Sequence, residues 1–380
     1  MAFVMTGELY RNSRALKQLR SLSGAGYMVE VWHLAGKAPA VALPASITVH
    51  DLARPSGKGP LFFRQVDRLF EEALSDVRAD IVHASDLYAL DACRRRADDL
   101  DAALSYDARE YYPHVAGTVR KPWARWWWRH VERSHIDRAN AVFTVSDSIA
   151  DTLRSDYGIQ RPRVVHNAPP ATLPDRANPV RSLRDRLGTT SPIFVHLGQM
   201  KAQRGGPILL EALRLVDSAH LVFLGYGSEL NRMRDLARMQ GLTERVHFFE
   251  PVSPDAIRDT IRDADVGITM LEDTCLNHRY ALPNKLFDYI HAGLPVLGAD
   301  LPEIRTVIDR HDIGMTASPN HPKHVAEAMM AMLDTQKQSR WRTQLSTARQ
   351  TYAWEEASLS FLTGVDEALG RRSAAIKDPS

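Results

Sequence analysis

The chain has 380 residues, 44% hydrophobic and 25% charged, which supplies apolar material for about two packed domains and excludes disorder as the main state. Its 48 Lys and Arg against 46 Asp and Glu leave a net charge of +2, which excludes the basic excess of a general nucleic-acid binder. The two cysteines, Cys93 and Cys275, make no disulfide framework; with no 18-residue apolar run and no signal peptide, a cytoplasmic protein is expected.

Short apolar runs alternate with amphipathic stretches, the pattern of parallel α/β sheets. In the first half the runs are Ala2–Met5, Met28–Leu34, Ile47–His50, Ile81–Ala84, Ala102–Tyr106, Ala141–Val145 and Val164–His166. Helical periodicity lies between them, near Arg11–Ser23, Leu61–Val77, Tyr88–Ala97, Trp123–Arg138 and Ser148–Tyr157. A break follows at Ala168–Pro179, where Pro169, Pro170, Pro174 and Pro179 remove the backbone donors that a helix or central strand needs. The second half has runs at Ile193–Leu197, Leu221–Leu224, Val246–Phe249, Val266–Met270 and Val296–Gly298. Its helices fall near Pro207–Val216, Ser228–Met239, Pro254–Arg262, Lys285–His291 and Lys323–Leu333, and the tail from Gln338 to Leu369 reads as helix. Two parallel-sheet α/β domains with a helical tail are expected, 1–170 and 171–354. Ligands of such sheets bind beyond the carboxyl ends of the strands, here in a cleft between the domains.

Five stretches could carry chemistry. Gly198-Gln-Met-Lys-Ala-Gln-Arg204-Gly-Gly follows a strand and opens a helix, so free amides, the helix dipole, Lys201 and Arg204 suit an anion; a solvated surface loop is the plain alternative. Gly225-Tyr226-Gly227-Ser228 is half a dinucleotide fingerprint with Leu230 where the third glycine belongs, and reads better as a tight turn capped by Ser228. In Asn277–Asp300, Pro283 opens a helix that Gly293 ends. Lys285 and Asp288 share a face of that helix, where an acid can accept ribose hydroxyls and a lysine can meet phosphate; a stabilising charge pair is the plain alternative. His83, Ser85 and Asp86 lie at the end of one first-half strand and just after it, and Asp107, Arg109 and Glu110 at the end of the next, where α/β enzymes place reactive groups; a hydrogen-bonded structural residue is the plainer reading of His83. Arg120–Arg138 carries six basic and two acidic residues, with Trp123, Trp126 and Trp127 on one face and Arg125, Arg129 and Arg133 on another. Such a helix suits a membrane interface or packing onto its own domain. Asp99–Asp101 and Asp263–Asp265 have the look of metal-binding pairs, but no metal is expected.

Taken together, these motifs resemble the retaining glycosyltransferases of family 4, with the GT-B fold of two Rossmann-like domains. HRYALPNKLFDYIHAGLPVLGAD is similar to the donor segment of a branch carrying LPNKxFEY, and GQMKAQRG to the phosphate loop. ADIVHASDLYAL and SYDAREYYP resemble the family's DxxHxHD and DAHE stretches, and TYAWEEAS the start of a final helix, about 355–370, that crosses back to the first domain. The resemblance implies sugar transfer from a nucleotide-diphosphate donor, with retention, to a glycan or lipid-linked acceptor in surface polysaccharide or glycoconjugate assembly. No cofactor or metal is implied, and a peripheral place on the inner membrane face is an expectation. By position, Gly198, Arg204, Gly225, Asn284, Lys285 and Asp288 meet the donor, Arg204 and Lys285 also acting in catalysis. The acceptor side takes His83, Asp86 and Glu110, with Asp107 and Arg109 as catalytic candidates. Two departures stand out. Tyr280 occupies the place of the family's first Glu, so sugar recognition falls to Tyr280 or to backbone amides, and Arg109 occupies the place of a His. A nucleotide-sugar epimerase of the same fold and a catalytically impaired partner subunit are the alternatives.

Overall fold

The structure, a computed structural model, describes residues 1–38, 40–172 and 180–370, so Pro174 and Pro179 of the expected boundary lie outside the described residues. The chain divides into two compact units, Met1–Asn167 with Glu355 onward, and Ala168–Trp354.

The first unit begins β1 (Ala2–Met5), α1 (Ser13–Gly24), β2 (Val29–Leu34), β3 (Ile47–Leu52), α2 (Pro60–Leu74), β4 (Ile81–Ala84) and α3 (Leu87–Leu100). It continues with β5 (Ala103–Ala108), α4 (Pro122–Ile136), β6 (Ala141–Thr144), α5 (Asp147–Tyr157) and β7 (Arg163–Val164). All seven strands are parallel, in the order β3-β2-β1-β4-β5-β6-β7. The inner strands β1 and β4 are buried at every position, as continuous apolar runs require when helices cover both sheet faces.

The second unit holds α6 (Leu183–Leu187), β8 (Ile193–Gln199), α7 (Gly206–Leu213), β9 (His220–Tyr226), α8 (Leu230–Met239), β10 (Val246–Phe249) and α9 (Ile257–Ile261). There follow β11 (Val266–Thr269), α10 (Leu276–Arg279), α11 (Asn284–Ala292), β12 (Val296–Ala299), α12 (Pro302–His311), β13 (Gly314–Ala317), α13 (Pro322–Ala331) and α14 (Thr335–Thr351). Its parallel sheet has the order β10-β9-β8-β11-β12-β13. The sequence reading had missed α12 and β13; the latter is a short edge strand whose first three residues are only half-buried, so its apolar signal is weak. Trp341 and Leu345 of α14 close the core of this unit.

The last helix, α15 (Trp354–Ala368), belongs from Glu355 onward to the first unit. Its Phe361 is fully buried, with ring centroids 5.1 Å from Phe143 and 5.9 Å from His83.

Candidate functional site

In the second unit the strand order reverses between β8 and β11, which leaves a crevice at their carboxyl ends. The β8–β11 ladder runs through Phe194–Val266 and Val195–Gly267. Beyond it, Tyr289 of α11 bridges the parting strands: its hydroxyl accepts from the Leu197 amide at 3.0 Å and donates to the Ile268 carbonyl at 2.8 Å. Gly267 makes room for that ring, since a Cβ there would stand 2.2 Å from the Tyr289 ring. Lys285 lies one turn earlier on the same helix face, so the docked tyrosine delivers its amine to the crevice. Its Nζ lies 2.9 Å from Nε2 of His196, a buried residue in the middle of β8.

The loop after β8 forms the other wall. Gly225 at the end of β9 allows Gly198 to approach, because a Cβ on Gly225 would stand 2.0 Å from the Gly198 carbonyl oxygen. Gly205 precedes α7 at φ +82°, and its Cβ would stand 2.0 Å from the Met270 carbonyl oxygen. Only glycine fits both the left-handed backbone and the contact. The Glu272 amide donates to the Gln203 carbonyl at 3.2 Å, and the Gly205 amide stabilises the Glu272 carboxylate. Burial nevertheless raises the Glu272 pKa above the usual range. The 198–206 loop and the segment after β11 are therefore clasped together, with Arg204 half-buried between Gln203 and Gly205.

Arg204 and Lys285 are brought together. Neither ion-pairs with a carboxylate within 4 Å among the described residues, and the Arg204 side chain makes no hydrogen bond among them. Burial lowers the Lys285 pKa to about 7, Arg204 pushes it the same way, and Asp288 opposes them. Burial, then Lys285, push the His196 pKa well below its usual value, so this imidazole is neutral. The charge of Arg204 also lowers the pKa of His278, after burial. An arginine and an electrostatically coupled lysine under a glycine loop, with no carboxylate ion-paired to either among the described residues, is an arrangement chemically suited to an anion of more than one charge.

The other donor candidates sit around this centre. Gly198 lines it directly, since a Cβ there would come 3.9 Å from Cε of Lys285. Asn284 is the exposed first residue of α11, Asp288 is half-buried one turn beyond Lys285, and Tyr280 is half-buried at the end of α10. Ser228 is not the cap of α8, which starts at Leu230 after Glu229 and has no side-chain cap. His196 escaped the sequence reading; its only signal was a polar residue inside an otherwise apolar strand.

The first unit corrects several expectations. Asp107 does not face solvent: it is fully buried, and Arg14 grips both its oxygens at 2.7 and 2.8 Å while Gln18 adds a bond at 3.0 Å. Burial alone would raise its pKa, but the charge and hydrogen bonds of Arg14, with the charge of Arg109, hold it below the usual carboxylate value. His83 is also fully buried, 2.8 Å from Ser105 Oγ and packed against Phe3, and burial lowers its pKa to about 4. Both side chains are interior, as the structural reading of His83 expects. Asp86 is 2% exposed; it caps α3 and accepts from the Thr6 amide and hydroxyl. Arg109 lies 3.3 Å from Asp86 with its side chain 22% exposed, and Glu110 is exposed. Of this set only Arg109 and Glu110 reach solvent to a useful extent, beyond the ends of β4 and β5.

Helix α4 also differs from its expected face. Trp123 and Trp126 are 59% and 67% exposed, but Trp127 turns inward, its ring centroid 4.9 Å from Phe63. Trp128 packs beside it against Tyr88 at 5.1 Å. Arg125 is half-buried, and Arg129 pairs with Asp156 at 2.9 Å. Glu132 anchors the inner face, accepting from Tyr106 at 2.7 Å and Tyr157 at 2.8 Å; burial raises its pKa to about 7 against the pull of those two bonds. Asp263 and Asp265 are engaged by Arg184, and no cluster of metal-ligating side chains occurs among the described residues.

Two family models match. "Glycosyltransferase Family 4" covers residues 13–169, and "Glycosyl transferases group 1" covers residues 191–335. No curated protein sequence matches the chain. Among solved structures, sucrose-phosphate synthase from Thermosynechococcus elongatus superimposes with a TM-score of 0.80 at 14% identity, over 97% of this chain and 98% of that one. Anabaena HepE, solved with UDP and glucose, gives 0.71 at 14% identity over 96% and 98%. WaaG, a glycosyltransferase involved in lipopolysaccharide biosynthesis, gives 0.67 at 13% identity over 96% and 98%. At these identities the structural likeness establishes the fold, which is GT-B.

Proposed function

We propose that this chain, a GT-B-fold protein whose two units match glycosyltransferase family models, transfers a sugar from a nucleotide-diphosphate donor to a glycan or lipid-linked acceptor. One observation carries the reading: Arg204 and Lys285 stand together, unpaired by any carboxylate among the described residues, at the switch point of the second sheet. A pyrophosphate is a common biological ligand whose charge suits that pair.

In this reading the bond between the sugar and the diphosphate breaks, leaving negative charge on the departing phosphate and positive charge on the sugar. Fixed cations and the amides of the 198–206 loop stabilise the leaving group as its charge develops, with no rearrangement at the moment of reaction. These cations take the electrostatic part that a metal ion plays elsewhere. In this reading Asp288 accepts a ribose hydroxyl, and Tyr280 or the amides of Ala281–Asn284 take the sugar. A leaving-group oxygen deprotonates the acceptor on the same face, which gives retention and removes the need for a strong protein base where Arg109 stands. Arg109 and Glu110 contact the acceptor.

The lipid-linked acceptor, and surface-glycan assembly as the setting, are supported by the exposed Trp123 and Trp126 on a basic helix. Among the described residues no helix is long and apolar enough to cross a membrane. In this reading Trp123→Ala with Trp126→Ala lowers co-sedimentation with anionic phospholipid vesicles at least about tenfold, and unchanged sedimentation removes the membrane from the proposal.

The deciding experiment is a thermal-shift screen against UDP-, GDP- and dTDP-sugars, since ligand at 100 times its dissociation constant adds about 2.7 kcal/mol of stability. Calorimetry on Arg204→Ala and Lys285→Ala then locates the site. Affinity equal to wild type in both variants would reject it.

A further inference from the structure

His196 is a buried polar residue in a central strand, and its neighbours explain its place there. Its ring stacks edge-on to Phe223 at 5.6 Å, its Nε2 is 2.9 Å from Nζ of Lys285, and the Ile268 carbonyl favours a proton on the ring electrostatically. Among the described residues Nδ1 itself completes no hydrogen bond. With the ring proton on Nδ1, Nε2 offers a lone pair to the lysine, which donates to it. A carboxylate at this position would hold the amine more strongly, but it would also neutralise it and repel a phosphate. A neutral imidazole orients the amine without neutralising the charge it takes up beside a ligand.

We propose that His196 is a positioning residue of the diphosphate site, holding the Lys285 amine in place, and that donor binding adds one proton to that amine. The inference rests on the donor-site reading above and adds to it a neutral anchor and a proton stoichiometry. The charged and titratable groups facing Lys285 are His196 from β8, Arg204 from the loop before α7 and Asp288 from the next turn of α11, while His278 of α10 faces Arg204. Before ligand arrives, burial and Arg204 both favour the neutral amine. A bound diphosphate brings two negative charges beside Nζ and reverses that preference. The proton comes from solvent and ends on Nζ; no other bond forms or breaks. The imidazole stays neutral throughout, because burial and the lysine both oppose a charge on it.

The test is calorimetry of the full chain with UDP-glucose, GDP-mannose and dTDP-glucose, whose diphosphates are esterified at both ends and carry no group titrating near neutrality. Each pH from 6 to 9 is measured in two buffers of different ionisation enthalpy. With the free amine titrating at about 7, the wild type takes up about 0.9 proton per site at pH 8 and little at pH 6, and its dissociation constant rises about tenfold per pH unit above 7. Lys285→Arg, permanently charged, binds without uptake. His196→Phe keeps the ring volume but loses the acceptor. It weakens binding at pH 8 by about 10- to 100-fold and moves the pH midpoint lower. His196→Gln, which restores an acceptor, recovers both. Circular dichroism confirms that each variant is folded, and the glutamine variant carries the comparison if the phenylalanine variant is not. Wild-type binding with no uptake at pH 8 would overturn the inference, as would a His196→Phe profile superimposed on wild type while Arg204→Ala has lost binding. Failure of all three nucleotide sugars to bind the wild type would overturn the donor reading and this inference together.

Discussion

A site that assembles two unneutralised cations stores a cost in the free protein, and Lys285→Met should release it. Burial and Arg204 depress the Lys285 pKa from 10.5 to about 7. At about 1.36 kcal/mol per unit, that penalises the folded state by about 4 kcal/mol at pH 7. Because the folded-state value is depressed, the unfolded chain holds a proton between about pH 7 and 10.5 that the folded chain has shed. Stability of the wild type therefore rises with pH across that window, and the penalty falls to about 2 kcal/mol at pH 9. Methionine keeps the unbranched stem but leaves Nε2 of His196 without its partner, an offset of about 1–3 kcal/mol that does not vary with pH. The variant is then about 1–3 kcal/mol more stable than wild type at pH 7 and loses about 2 kcal/mol of that advantage by pH 9. Denaturant unfolding at both pH values, on the full chain without ligand, measures the difference of differences and cancels the constant offset. An advantage that stays level or grows from pH 7 to 9 would refute a buried, depressed amine. The same variant should gain no stability from a nucleotide sugar.

Three further outcomes follow from the structure. Burial raises the Glu132 pKa from 4.5 to about 7, so the folded chain keeps a proton there that the unfolded chain sheds, and wild-type stability falls as pH rises through that window. Glu132→Gln lacks this loss, and its stability relative to wild type rises by about 3 kcal/mol between pH 4.5 and 8 in urea melts; a flat difference contradicts the buried carboxyl. Gly205→Ala adds a Cβ 2.0 Å from the Met270 carbonyl at φ +82°, so it destabilises by at least about 2 kcal/mol and weakens nucleotide-sugar binding through the neighbouring Arg204. Full binding in a folded Gly205→Ala protein would show that the loop does not form the site. Asp107→Asn leaves Arg14 buried without its counter-charge and costs about 3–5 kcal/mol, while the folded fraction keeps its donor affinity. Transfer activity lost without loss of stability would return Asp107 to the chemistry.

Much of the architecture was legible in periodicity. Fully buried parallel strands must be apolar runs, so Ala2–Met5 and Ile81–Ala84 could be bounded from composition alone. Glycine turns and the spacing of Lys285 and Asp288 on one helix face are also local properties, and they survive into the structure. The edge strand β13 escaped because Gly314–Ala317 carries little apolar character, whereas β10, also half-buried at an edge, keeps the apolar run Val246–Phe249.

What local pattern cannot encode is which charges meet and which face water. Asp107 and Arg109 are two residues apart, yet one lies sealed against Arg14, 93 positions earlier in the chain, and the other reaches solvent. Trp126 and Trp127 are neighbours, and only the packing of Phe63 decides that one is exposed and the other is not. Arg204 and Lys285 were each recognisable as basic residues near glycine turns. Their coupling, and the imidazole under the lysine, exist only because β8 and β11 part at the switch point and Tyr289 docks α11 into the gap. The electrostatics of the anion site follow from that packing, since burial and proximity set the charge of a group and neither is a property of the chain before it folds.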